Sequence, residues 1–176
     1  YFAGCKIPSR LPQYDLATRA LLGALNVELV ELEWDCCGYP ARHQCFEASV
    51  YAAACVLATA AEMQLPLMPP CKCCFGNLKH AQYWLAKSVG LHREVCGLLD
   101  KEGLVLDLSV SVKHLLTVLQ EDVGVDAVRD KIVHPLSGVK VAVQYGCHAL
   151  RPSGVVALDN PLAPTIFESL VDCLGG

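Results

Sequence analysis

Five cysteines in this chain have the types and spacings needed to hold a metal group. Cys5 stands alone, Cys36 and Cys37 are adjacent, and Cys71 and Cys74 form a C-x-x-C pair with a further thiol, Cys73, inside it. Soft thiolates select zinc, copper(I) or iron–sulfur clusters. Adjacent cysteines pair with each other only under strain, and the chain has enough aliphatic residues to build a core without disulfides. Reduced thiolates holding a metal fit better. A structural zinc site is a closed tetrahedron, usually built from two short cysteine pairs, and only Cys71–Cys74 has that form here. Cys36 and Cys37 can hardly both chelate one small ion, but they suit different irons of an extended cluster. Five thiolates also exceed the four that a cubane takes. The donor set points to an iron–sulfur cluster, with zinc at the same cysteines as the alternative.

Other residues near these motifs carry a bland reading beside the functional one. Cys45, Cys55, Cys96 and Cys173 read as packing thiols, because free cysteine behaves as a small buried hydrophobe. Lys6, Arg10, Lys72 and Lys79 lie near the motif loops, where cations would suit a phosphate or sulfonate group; the bland reading is a charged loop edge. His148 follows Cys147 and is a candidate to hydrogen-bond a cluster sulfur or a substrate, or simply a solvated loop histidine. Gly4, Gly38 and Gly76 are expected to permit close backbone approach.

Short β-like runs alternate with helical patterns. Tyr1–Cys5, Val27–Leu32, Leu65–Met68 and Val139–Tyr145 read as strands. Leu11–Asn26, Phe46–Met63, Asn77–Lys87, Val110–Gln120, Asp126–Ile132 and Thr165–Cys173 read as helices, with Cys71–Gly76 as a turn. The alternation predicts an α/β fold, a mostly parallel sheet with flanking helices. On that expectation Cys5, Cys36-Cys37 and Cys71–Cys74 follow successive strands, whose carboxyl ends converge on one crevice. A weak internal repeat relates Tyr1-Phe2-Ala3-Gly4-Cys5 to Val143-Gln144-Tyr145-Gly146-Cys147. It predicts one complete unit over 1–138, helical linker included, and the opening of a second over 139–176.

Composition narrows the function classes. At 53% hydrophobic and 18% charged residues the chain can bury a substantial core. A net charge of −4 without a basic run argues against a sequence-independent grip on nucleic acid. The most apolar stretch, Ala48–Ala61, is too short for a membrane span, which needs about 20 residues. No secretory signal pattern is visible, so a cytoplasmic location is expected. The opening on Tyr1 leads us to expect a few preceding residues. No glycine-rich nucleotide fingerprint follows any predicted strand, so electrons must come from elsewhere.

The combination of a lone cysteine, Cys36-Cys37-Gly38 and Cys71…Cys74 resembles the cysteine-rich CCG domain. That domain occurs twice in the B subunit of heterodisulfide reductase, and in relatives attached to succinate, lactate, glycolate and glycerol-3-phosphate oxidoreductases. The stretch from Val112-Lys113-His114 to Tyr145-Gly146-Cys147-His148 and Arg151-Pro152 is similar to the linker and second-domain opening of that B subunit. The resemblance implies a noncubane [4Fe–4S] cluster on Cys5, Cys36, Cys37, Cys71 and Cys74, with Cys147 opening a second set. It also implies one-electron cleavage of a coenzyme M–coenzyme B type disulfide, and a small iron–sulfur subunit and a flavin subunit as partners. A quinone-linked electron-transfer subunit and a zinc-stabilised interaction module are the other readings. Two departures stand out: the spacers between motif elements are slightly short, and Cys73 is an extra thiol.

Overall fold

The computed structural model describes residues 1–175; Gly176, the end of the expected second unit, lies outside them. The fold is helical. α1 (Lys6–Arg10) and α2 (Pro12–Ala24) are separated at Leu11, because a residue before proline is driven out of the helical region and Pro12 suits the first turn of a new helix. α3 (Phe46–Glu62) is built from alanine and other good helix formers. It buries Val50, Ala53, Ala54 and Leu57 at the spacing of one helical face. α4 (Lys72–Lys87) buries Cys74, Leu78, Ala81 and Leu85 on its own stripe and packs on α3. The small side chains on both stripes let the two backbones come close. α5 (Val89–Leu99) starts at Ser88, whose hydroxyl accepts the Leu91 N–H at 3.3 Å.

These three helices enclose the main core together with Phe2, Cys37, Val112, Tyr145 and Val156. A second core gathers Tyr1, Leu22, Met68 and the helical segment that begins as α6 (Leu115–Thr117) and continues as a π-helical stretch, Val118–Gly124. α7 (Val125–Arg129) follows it. α8 (Cys147–Leu150) and α9 (Ser153–Val156) pack against α4, and α10 (Ile166–Cys173) packs against α7. Asp159 caps α10, its Oδ2 accepting the Thr165 and Ile166 N–H groups at 2.6 and 2.7 Å. Among the described residues no helix is long and apolar enough to cross a membrane.

The expected α/β sheet does not form. Tyr1–Cys5, Val27–Leu32, Leu65–Met68 and Val139–Tyr145 are extended or irregular, and among the described residues the pairing amounts to one isolated parallel bridge, Leu67 with Val112. Scattered bonds tie the segments together: Phe2 N to Met68 O at 3.1 Å, Leu67 N to Ser111 O at 2.8 Å, Lys113 N to Leu67 O at 3.0 Å. The physical reason is local. Pro66, Pro69 and Pro70 bracket Leu67–Met68 and have no N–H to continue a ladder. Val139 and Val141 stand exposed instead of seating on a sheet face. The expected turn at Cys71–Gly76 is likewise helical from Lys72 onward.

Two buried histidines make this packing pH-dependent. Burial, aided by Arg42 and His148, pushes His80 down to about 4; burial, with Lys72 nearby, does the same to His114, although the Pro70 carbonyl opposes it. Both are neutral in the folded protein, so between pH 6.5 and 4 the unfolded chain binds more protons and stability falls as pH falls. Each imidazole contributes a slope of about 1.4 kcal/mol per pH unit in that window. The urea midpoint should drop clearly between pH 7 and pH 5, and a His80→Gln, His114→Gln double variant should flatten the response. An equal drop in the double variant would assign the acid sensitivity to other groups.

Candidate metal centre

The cysteine motifs arrive at one place through helix starts and the segments leading into them. Cys5 stands immediately before α1 and Cys71 immediately before α4, while Cys73 and Cys74 lie in the first turn of α4. Cys37 is brought in by the extended run after Trp34, whose ring meets Phe2 edge-on at 5.4 Å and whose indole N–H donates to Tyr1 O at 2.9 Å. Cys5, Cys37, Cys71, Cys73 and Cys74 line a single cavity of about 260 Å³ together with Lys6, Ile7 and Tyr39. Cys36 adjoins it, its Sγ 3.5 Å from that of Cys5.

The polypeptide around Cys37 is held from beneath. Asn77, buried on α4 one turn after Cys74, donates through Nδ2 to Cys37 O at 2.7 Å and to Ser49 Oγ at 3.1 Å. Ser49 Oγ donates back to Asn77 Oδ1 at 3.3 Å. A paired buried amide of this kind fixes its partners firmly, since losing one bond leaves the others unsatisfied. Gly4 is equally tight: its φ is +68°, and a Cβ there would stand 2.9 Å from Cys74 Sγ.

The thiols are electrostatically unequal. Hydrogen bonding from Cys74 pulls Cys71 down to about 5 against its burial, helped by the backbone N–H groups of Cys74 and Cys73 at the helix start. Hydrogen bonding from Cys74 also lowers Cys37, and bonding to both neighbours raises Cys74 itself. Burial raises Cys73 and pushes Cys36 up to about 11. One thiol proton thus holds together sulfurs that would repel as thiolates, and a cationic metal group would satisfy the same sulfurs. Among the described residues no three His, Cys, Asp or Glu side chains converge on a point as a single ion requires. The soft thiols edge a cavity, and thiolates are donors that zinc and iron–sulfur clusters both take.

The remaining predicted residues lie around this cavity. Lys6 lines it. Lys72 points away, its Nζ donating to Tyr145 O at 3.3 Å. Cys147 is exposed at the start of α8 and is not among the residues lining the cavity. His148 reaches it indirectly: its Nε2 lies 3.0 Å from Tyr39 Oη, the rings meeting nearly at right angles. Tyr39, Asn77 and Ser49 were not singled out by motif reasoning. A usable signal existed for two of them, since Tyr39 directly follows Cys36-Cys37-Gly38 and Asn77 shares the Cys74 face of its helix. Ser49 had none.

Comparison with known proteins agrees with this cysteine-centred reading. Residues 1–79 match the cysteine-rich domain family CCG. The 8-methylmenaquinol:fumarate reductase membrane anchor subunit of Wolinella succinogenes is 33% identical over 178 residues, covering 99% of this chain and 61% of that protein. A protein of Archaeoglobus profundus named as like the heterodisulfide reductase B subunit is 30% identical over 179 residues, 99% of this chain and 60% of its own. The B subunit of the ferredoxin/F(420)H(2)-dependent CoB-CoM heterodisulfide reductase of Methanosarcina acetivorans is 28% identical over 177 residues, with 99% and 59% covered. The chain spans about three fifths of the length of these relatives. Residues 1–79 thus match the CCG cysteine-rich domain family, and over nearly its whole length the chain is similar to the B subunits of heterodisulfide reductases.

Proposed function

We propose that this chain is part of the iron–sulfur catalytic subunit of a heterodisulfide reductase-like complex in the cytoplasm. Cys5, Cys36, Cys37, Cys71 and Cys74 hold a noncubane [4Fe–4S] cluster, and Cys147 opens a second ligand set. Residues 1–138 act as the first cysteine-rich unit and 139–176 as the start of the next. The observation that carries the reading is the meeting of thiols from three separate segments around one cavity. When bound, such a cluster supplies single electrons. The overall reaction takes two electrons and two protons to turn one disulfide into two thiols. The chain's own residues hold the soft donors, cover part of the cavity with the buried Ile7, and set Tyr39 with its His148 partner at the cavity wall, where a hydroxyl can orient an incoming sulfur. Electrons arrive from a small iron–sulfur subunit and a flavin subunit.

One relative favours a second reading. The name of the Wolinella protein joins a menaquinol to fumarate, so a quinone-linked relay without a disulfide substrate is the competitor. The test is an oxygen-free complex given a viologen donor and low-molecular-weight disulfides. Two thiols released per two electrons are expected. Menaquinol oxidation without any thiol release would transfer the chain to the relay class.

A further inference from the structure

The Pro70 carbonyl is the last backbone acceptor before Cys71, and two residues outside the cysteine cavity act on the chain around that cysteine. Tyr14, on α2, donates its hydroxyl to Pro70 O at 3.4 Å. His114 approaches from the opposite end of the sequence, carried by the segment that Leu67 bonds at Ser111 and Lys113. Its Nδ1 accepts the Leu116 N–H at 3.2 Å, which leaves the ring proton on Nε2. The same ring meets Phe75 nearly edge-on, centroids 5.7 Å apart. Phe75 N in turn donates to Cys71 O at 2.9 Å, the first bond of α4.

Tyr14 and His114 therefore hold the chain on the two sides of Cys71: Tyr14 the carbonyl before it, and His114 the residue that closes the first helical turn after it. Pro69 and Pro70 offer no N–H, so this approach to Cys71 can be steadied only through its carbonyls. Tyr14, Pro70, Cys71 and His114 also share the wall of a second cavity of about 300 Å³, adjoining the cysteine cavity at Ile7 and Cys71. Partners of this kind, one bond removed from a ligand, orient it and tune what it binds.

We propose that Tyr14 and His114 are positioning residues, a two-point clamp on either side of Cys71 that aims its sulfur at the metal group, Tyr14 through the Pro70 carbonyl and His114 through the Phe75 ring. The clamp rests on the cluster reading and adds residues that the cysteine motif does not contain. Because Tyr14→Phe keeps the ring of this partly exposed residue, it removes one clamp bond with little effect on packing.

The test compares Tyr14→Phe, His114→Gln and His114→Ala in the whole protein, prepared without oxygen. Iron and sulfide content, iron release to a chelator, the paramagnetic spectrum and the melting temperature are measured. Tyr14→Phe should melt with the wild type yet release iron about 10-fold faster, with a shifted spectrum. His114→Ala should lose more iron, and His114→Gln, which keeps a donor and an acceptor, should recover part of it. Wild-type release and spectrum in both Tyr14→Phe and His114→Gln would overturn the clamp. Wild-type protein without iron would instead sink the cluster reading. The clamp would then be read from the alkylation rate of Cys71: a faster rate in the variants supports it, and an unchanged rate overturns it.

Discussion

Cys37→Ala is expected to abolish iron and sulfide binding, whereas Cys73→Ala is expected to leave both in place. The two thiols stand in the same cavity, but their surroundings differ. Cys37 is 1% exposed, its thiol bonds to Cys74, and its carbonyl is held by Asn77. It cannot turn away from the cavity, and no water can replace it. Cys73 is kept in its neutral thiol form, chiefly by burial and then by the neighbouring Cys71, and its sulfur is engaged by the Tyr39 hydroxyl. Removing one buried sulfur costs on the order of 1 kcal/mol in packing, too little to unfold the domain. Metal loss of at least about 10-fold in Cys37→Ala would therefore report ligation and not collapse. Iron and labile-sulfide assays beside a circular dichroism spectrum separate the two. If Cys73→Ala were as damaging as Cys37→Ala, the donor set would have to include Cys73.

The helices α2, α3 and α10 were legible in the sequence because their signals are local, whereas α5, α8 and α9 were not anticipated. Alanine content and the Val50, Ala53, Leu57 spacing mark α3, and the ends observed at Phe46 and Glu62 lie within a residue of those expected. The sheet was misread because an apolar run of four to seven residues says nothing about its partner. Leu65–Met68 has strand-like residues, but its flanking prolines deny it a ladder, and the bond that Leu67 N makes goes to Ser111, beyond any local pattern. The convergence expected from strand ends is reached instead through helix starts at Cys5 and Cys71. That substitution has a chemical consequence, since a helix start presents free N–H groups to Cys71 that a strand end would not. The cysteine grouping was legible from composition and spacing alone. Ser49 and His114 were not, because each acts on a residue far away in sequence, and neither identity nor periodicity encodes that distance.

Gly38→Ala should be among the most damaging single-atom additions in the chain. Gly38 adopts φ +83°, where an L side chain costs about 1–2 kcal/mol. A Cβ there would stand 2.6 Å from Ser49 O and 2.9 Å from both Ser49 Cα and Ala52 Cβ. Most of these atoms are backbone of α3, so no rotamer change relieves the clash, and overpacking of this kind adds about 1–3 kcal/mol. A total near 3 kcal/mol corresponds to a melting-temperature drop of about 10 °C for a chain of this size. The loop must move if α3 does not, and it carries Cys36 and Cys37 on one side and Tyr39 on the other. Moving it stretches the Asn77–Cys37 bond and disturbs the Ser49–Asn77 pair behind it. Metal binding should thus fall together with stability, unlike in Cys37→Ala, where metal is lost alone. Gly90→Ala is the matched control: it lies within α5 with nothing near its Cβ, and alanine there should stabilise by up to about 1 kcal/mol. If Gly38→Ala instead melted with the wild type and retained its iron, the loop could not run this close to α3, and the position assigned to Cys37 would fall with it.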